Sequence, residues 1–252
     1  MTWLYFLSFP LLLPVLTLMT GLVSALLWWL PKLPYLAPLM RWGKGMSPVI
    51  QGICGTLFVL ATTFLSSSVW TAEDKAYEAV AVEARQVRQL RTLAHLFPEP
   101  RRSELVVLVH EYAEQSAAEW PHMTETGGSR AAEEVLNALY GAAVSLAGSE
   151  QMLSDQIIQA LNAVGEARER RLDIARNSVN QDQWVVMLIL ALILGVAVTF
   201  VHIDDDRARA IALALVTVMV ATALLLMIMH DRPFIGYEAL GPEAILAAAK
   251  GL

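Results

Sequence analysis

Four stretches of this chain carry no Asp, Glu, Lys or Arg: residues 1–31, 45–72, 183–203 and 210–229. Each is about 20 residues or longer, the length a helix needs to cross a hydrocarbon core of roughly 30 Å. The deficit of charge is concentrated in these runs. The whole chain of 252 residues is 17% charged and 56% apolar, against about 25% charged for a soluble domain. The sequence therefore predicts an all-α membrane protein with transmembrane helices at about 3–30, 47–70, 183–203 and 210–229. The first run is not read as a cleaved signal peptide. Nothing basic precedes it, and it ends in Trp28 and Trp29, which suit a membrane interface. Pro10 and Pro14 predict a bend within it.

Residues 71–182 are the only sizeable polar block, rich in strong helix formers such as Ala, Glu, Arg, Leu and Gln. Breaks at Pro98–Pro100, Trp120–Gly128 and Gly148-Ser149 divide it into helices of about 71–97, 101–119, 130–147 and 150–181. The division expected is 1–70 for spans one and two, 71–182 for an extramembrane helical bundle, 183–230 for spans three and four, and 231–252 for a C-terminal interfacial segment. The first helix of the block runs on from span two with no proline or glycine cluster between them, and the last runs into span three.

Those two helices each carry an apolar stripe at 3–4 spacing. In the first, positions 76, 80, 83, 87, 90, 94 and 97 read Ala, Val, Glu, Val, Leu, Ala and Phe. In the last, positions 153, 157, 160, 164, 167, 171, 174 and 178 read Leu, Ile, Ala, Val, Ala, Arg, Ile and Ser. One ion interrupts each stripe. Glu83 lies 13 residues after Trp70, and Arg171 lies 13 residues before Trp184. If both tryptophans mark the interface, the two charges stand at one height, about 20 Å from the membrane at 1.5 Å per residue. The expectation is that Glu83 and Arg171 pair, with Arg168 or Arg170 as substitutes if the register differs.

The single cysteine, Cys54, lies inside span two, so there is neither a disulfide framework nor a cysteine metal site. The net charge of −6 gives no basic face for nucleic acid. No catalytic motif, cofactor motif or metal motif is recognisable. His110 and Glu114 share a helical face but lack the second histidine of a zinc-protease motif. His202 with Asp204, Asp205 and Asp206 has carboxylates that suit a hard cation, yet the segment reads more simply as a solvated turn. Short loops decide orientation. Lys32, Arg41 and Lys44 in one and Arg207 and Arg209 in the other place both in the cytoplasm and the helical block on the periplasmic side of a bacterial inner membrane.

Span two is unusually hydroxylated. Thr56, Thr63 and Ser67 share one face, where hydroxyls can contact water or part of an ion's hydration shell in a pore. Phe58 and Phe64 are the candidates for a hydrophobic constriction. The competing reading is helix packing, with Ser and Thr bonded to their own helix and Gly52 and Gly55 allowing close approach. Span four leads into His230, Asp231 and Arg232 at the water boundary, where Pro233 stops the helix. Phe234 and Tyr237 are placed at the interface, and Gly241-Pro242 opens a short apolar helix of about 243–250.

Several of these segments together resemble the bacterial bestrophin-like domain family over nearly the whole chain. They are the long second span ending in Trp70, "VEARQVRQL" at 82–90, "FPEPRR" at 97–102, Glu119-Trp120-Pro121, "RERRLDIAR" at 168–176 and "DRPFIG" at 231–236. The last is the most specific, and it makes Asp231, Arg232, Pro233, Phe234 and Gly236 a C-terminal motif. Bestrophins are oligomeric anion channels with a large helical block between the second and third spans. The resemblance implies a homo-oligomeric, channel-like, non-enzymatic protein whose partners are the lipid bilayer and small inorganic ions. A reading of another class is a membrane sensor or accessory subunit whose helical block binds a partner.

Overall fold

The computed structural model describes residues 7–124, 128–145, 151–176, 181–236 and 239–251, and these are all helix, turn or loop, with no strand. The helices are α1 (Phe9–Trp29), α2 (Ala37–Arg41), α3 (Pro48–Ala94), α4 (Arg101–Ala118), α5 (Arg130–Ser145), α6 (Gln151–Arg176), α7 (Gln181–Val201), α8 (Asp206–His230) and α9 (Glu243–Lys250). Segments Pro10–Lys32, Asp182–Val201 and Asp206–His230, together with part of Pro48–Ala94, are long and apolar enough to cross a membrane. Gly148-Ser149, Ser178 and Tyr237 lie outside the described residues.

The chain divides into two compact units. One comprises Met1–Thr71 with Val179–Glu238, the other Ala72–Ser178 with Ala239–Leu252. Helix α3, 47 residues long, contributes to both. Its N-terminus is held by Ser47, whose Oγ accepts from the backbone N of Val49 at 3.2 Å.

In the membrane unit, α1 packs along α8, and α7 packs on both. The core is made of Leu12, Leu16, Phe58, Leu65, Met187, Leu194, Val198, Leu213, Val220 and Ala221. Lipid tails are as apolar as these side chains, so close packing and a few polar contacts hold such helices together. One such contact is Thr217 Oγ1 donating to Ser24 Oγ at 2.6 Å, between α8 and α1. The three aspartates read as a turn have separate duties. Asp204 pairs with Lys44 at 3.1 Å. Asp205 caps α8, accepting from Arg207 N at 2.9 Å and Ala208 N at 3.0 Å, the usual role of an N-cap carboxylate. Asp206 pairs with Lys32 at 2.9 Å and with Arg209.

In the helical unit, α5 packs on α4 and α6, and α9 packs on α4. The stripe of α3 at Ala76, Val80, Glu83, Val87, Leu90 and Ala94 is buried throughout, as is Phe97 just beyond its end. On α6 the residues Ile157, Ala160, Val164, Ala167 and Arg171 are buried, with Leu153 and Ile174 half-buried. Residues 231–252, expected as one interfacial segment, are divided between the two units. The turn through Gly236 groups with the membrane unit, whereas α9 groups with the helical one. The reason is apolar: Ile245, Ala248 and Ala249 of α9 are buried. Gly251, at φ +79, ends α9 in the left-handed region that glycine tolerates.

Two glycines of the membrane unit separate tight packing from open surface. A Cβ on Gly195 of α7 would stand 2.7 Å from Leu27 Cδ1, whereas one on Gly52 of α3 would meet nothing within 4 Å. Gly195→Phe is expected to lower stability by about 1–3 kcal/mol through overpacking. Gly52→Ala is expected to leave the isolated chain unharmed, since Ala is the better helix former. Thermal unfolding of both variants in detergent checks this, and equal losses would contradict it.

Candidate functional site

Each unit carries one set of candidate residues. In the membrane unit, α3 presents Thr56, Thr63 and Ser67 on one exposed face. Thr56 Oγ1 donates to Gly52 O at 3.0 Å and Thr63 Oγ1 to Val59 O at 2.9 Å. These bonds to the preceding turn satisfy the hydroxyls within their own helix, as the packing reading requires, and can be exchanged for water or an ion. Phe64 joins this surface at 68% exposure. Phe58 does not: it is 1% exposed and sits in the membrane unit's core. The pairing of the two phenylalanines as one constriction is thereby corrected. At 3.6 residues per turn their six-residue spacing is a rotation of about 240°, which points them to different sides of the helix.

The C-terminal motif closes span four. Asp231 is the C-cap of α8, its N–H donating to Met227 O at 2.9 Å. Ile235 N donates to Arg232 O at 3.1 Å across the turn that contains Pro233. Gly236 has φ +115, a conformation L side chains avoid. Asp231 and Phe234 are buried. The segment is thus a stop built as a tight turn.

In the helical unit, Glu83 and Arg171 are brought together with both side chains fully enclosed. Arg171 Nε donates to Glu83 Oε2 at 2.8 Å and Nη2 to Oε1 at 3.2 Å, a bidentate arrangement. The pair is part of a larger network. Arg171 Nη2 also donates to Ser116 Oγ at 2.8 Å and to Glu119 Oε2 at 3.1 Å. Its Cζ lies 4.3 Å from the centre of the Trp120 ring, a cation–π contact. Glu83 Oε1 accepts from Tyr112 at 2.9 Å and Ser116 at 2.8 Å. Glu119 in turn accepts from Arg168 and from Ser129 N at 2.7 Å. Charges alternate along the series Glu83, Arg171, Glu119, Arg168, and they cancel.

Burial opposes the charge on Arg171, but the carboxylates of Glu83 and Glu119 outweigh it and raise its pKa. Arg168 is raised against the same opposition by its bond to Glu119 and that group's charge. Burial, reinforced by the charge of Glu83, holds the Tyr112 hydroxyl protonated well above its usual range. Gly128 lets the backbone pass beside the network: its φ is +128, and a Cβ there would stand 2.9 Å from Leu172 Cδ1 and 3.3 Å from Arg168 Nη2. Sequence reasoning named Glu83 and Arg171, met Glu119 only within a family motif, and missed Tyr112 and Ser116. The usable signal was charge balance, since two buried arginines in one helix call for a second carboxylate. Arg170 is on the outside of α6, with Glu166 at 4.0 Å. His110 and Glu114 form an exposed pair at 3.3 Å. Among the described residues, no three His, Cys, Asp or Glu side chains are grouped to hold a metal.

The bestrophin-like domain model matches residues 17–245. The chain belongs to the bestrophin-like domain family. A crystal structure of a variant of a bacterial bestrophin homologue from Klebsiella pneumoniae superposes with a TM-score of 0.75 at 11% identity, covering 95% of this chain and 96% of that one. A second structure of a bestrophin homologue from that organism gives 0.70 at 10% identity, with 94% of each chain covered. A crystal structure of a membrane protein variant gives 0.70 at 11% identity, covering 95% and 94%. At these identities the likeness speaks for the fold. None of the curated proteins matches the sequence.

The neutral network sets a clear expectation. Glu83→Ala leaves Arg171 with less counter-charge in a sealed site and is expected to cost about 3–5 kcal/mol. Replacing both, as Glu83→Leu with Arg171→Met, leaves Glu119 balanced by Arg168 and is expected to cost less than the single change. A double-mutant cycle on thermal or denaturant unfolding measures this, and additive losses would refute the account.

Proposed function

We propose that this protein is the subunit of a homo-oligomeric ion channel whose pore wall is the hydroxylated face of α3. The observation that carries the reading is that face itself. Thr56, Thr63, Ser67 and Phe64 are exposed on the single chain, while the opposite side of the same helix, at Phe58, Leu65 and Val69, is buried. Hydroxyls and a large apolar ring on one charge-free face are the materials of a pore with a constriction. One chain cannot enclose such a face, so several copies arranged about an axis are required. Membership of the bestrophin-like family supports the same reading, and the bestrophin resemblance makes anions the first ions to test. The second reading, a sensor or accessory subunit, is favoured by the buried network, which describes a rigid helical unit fit to present a surface.

Flux through purified protein in liposomes separates them. The channel reading expects ion flux that changes severalfold in Thr63→Val or Phe64→Ala, with the fold and oligomer intact. Phe58→Ala is expected instead to lower stability by about 3–5 kcal/mol, as a core truncation does. Tight liposomes containing a well-folded oligomer would favour the sensor.

The charges of the short loops support a cytoplasmic position for Lys32, Lys44 and Arg207 and hence a periplasmic one for the helical unit. With Cys54→Ser as background, Arg130→Cys is expected to react with a membrane-impermeant maleimide in intact cells; the Arg130 side chain is 91% exposed. Reaction only after permeabilisation would put the helical unit in the cytoplasm.

A further inference from the structure

We propose that the groove between α1 and α8 binds one anionic phospholipid, with an acyl chain in the groove and the phosphate at Lys32. The site lies wholly within the membrane unit and is independent of the pore proposed above.

The groove measures about 440 Å³ and is bounded by Thr17, Gly21, Ser24 and Trp28 of α1 and by Leu213 and Thr217 of α8. That volume is in the range of small-molecule sites. Both helices belong to segments long and apolar enough to cross a membrane, so what fills a groove between them comes from the bilayer.

The polar groups along the groove come in the order in which a phospholipid presents its parts. Steps of four residues lead from Ser24 to Trp28 to Lys32, the spacing that keeps side chains on one side of a helix. Lys32 stands at the water end, just past α1, with its ammonium 3.3 Å from the centre of the Trp28 ring. Trp28 marks the interface, a place tryptophan favours, and its indole N–H donates to Asp206 O at 3.2 Å. Ser24 is one turn deeper, about 6 Å along the helix, as the glycerol esters lie deeper than the phosphate. Thr217 donates to Ser24 Oγ at 2.6 Å, which leaves the Ser24 hydroxyl proton for an acceptor in the groove, and an ester carbonyl is one. Deeper still the groove is apolar in effect, because Thr17 Oγ1 donates to Leu13 O at 2.8 Å within its own helix.

Charge selects an anionic lipid over a second copy of the chain. At the mouth, Asp206 pairs with Lys32 at 2.9 Å and also with Arg209, so one carboxylate serves two cations. Arg209 is 1% exposed, and its Nε has no acceptor. The loops on this side of the membrane, 31–46 and 202–209, hold five Lys and Arg against three Asp. Another copy would bring the same positive surplus to the mouth, whereas a lipid phosphate supplies the missing negative charge. Basic pockets between transmembrane helices hold anionic head groups in this way.

Thermal unfolding of the purified, delipidated protein in detergent, with native mass spectrometry of the same samples, tests the site. Phosphatidylglycerol is expected to raise Tm by several degrees and to stay bound as one molecule per chain, with phosphatidylcholine binding more weakly. Lys32→Gln is expected to weaken phosphatidylglycerol about fivefold, the worth of one basic residue at a lipid surface, and to leave phosphatidylcholine unchanged. Equal weakening of both lipids would mean a merely structural lysine and would refute the phosphate contact. Gly21→Leu fills the groove. A Cβ at Gly21 meets only Thr217 Cγ2, at 3.8 Å, so this variant is expected to fold and to lose both lipids. Ala214→Leu narrows the groove from α8 and serves in its place if Gly21→Leu does not fold. A wild type without preference between the two lipids, or groove variants that bind lipid as before, would overturn the proposal. Equal protection by glycerol phosphate, which has the charge without the chain, would overturn it too. So would a smaller oligomer on Gly21→Leu, which would assign the groove to a second copy.

Discussion

A guanidinium sealed from water is among the most demanding groups a small helical unit can contain, and Arg171 is fully enclosed. Its desolvation is offset only if nearly every donor finds an acceptor. The acceptors come from distant parts of the chain: Glu83 from α3, Ser116 from α4, and Glu119 from the turn that follows it. Trp120 supplies an aromatic face, and its own indole N–H reaches Leu240 O at 2.6 Å ahead of α9. One side chain therefore fixes the register of α6 against α3 and α4, and the turn around it ties in the C-terminal segment. A hydrophobic seam alone specifies such registers loosely, because one apolar residue can replace another with little loss. A bidentate ion pair tolerates no such slip.

The same demand shapes α3. Glu83 fixes which side of its later turns faces inward, so the opposite side, with Asp74, Arg85 and Arg88, is left open. Earlier in the helix, Phe58 and Leu65 settle the inward side by ordinary core packing. A different force thus sets the buried side of the helix in each unit, ionic in the helical one and apolar in the membrane one. In the membrane unit the exposed side of the helix carries Thr56, Thr63 and Ser67.

Much of this was legible in the sequence, for a physical reason. Charge-free runs have few explanations other than a membrane, so the four spans stood out. A lone ion in an apolar stripe demands a counter-ion, so Glu83 and Arg171 could be matched by their equal distance from two tryptophans. The place of Glu119 in the network was hidden because that residue lies where α4 gives way to a short 3-10 turn at Trp120–His122, and no helical periodicity points inward there. Tyr112 and Ser116 were hidden because hydroxyls on a polar helix are ordinarily solvated. Phe58 misled because it was grouped with Phe64 by residue type. Rotation about the helix axis, which the sequence already contained, separates them. The placement of α9 on α4 rests on three small or branched apolar residues. An eight-residue helix with that pattern suits a membrane surface or a protein core equally well.

The central claim is that the Thr56, Thr63 and Ser67 face of α3 surrounds the axis of an oligomer. The most direct measurement is a structure of the assembled protein in a lipid nanodisc at side-chain resolution. The account predicts a closed ring of copies with the three hydroxyls of each α3 turned toward a central axis and Phe64 at its narrowest point. A ring in which that face packs against lipid or a neighbouring helix, or a monomer in lipid, would contradict it.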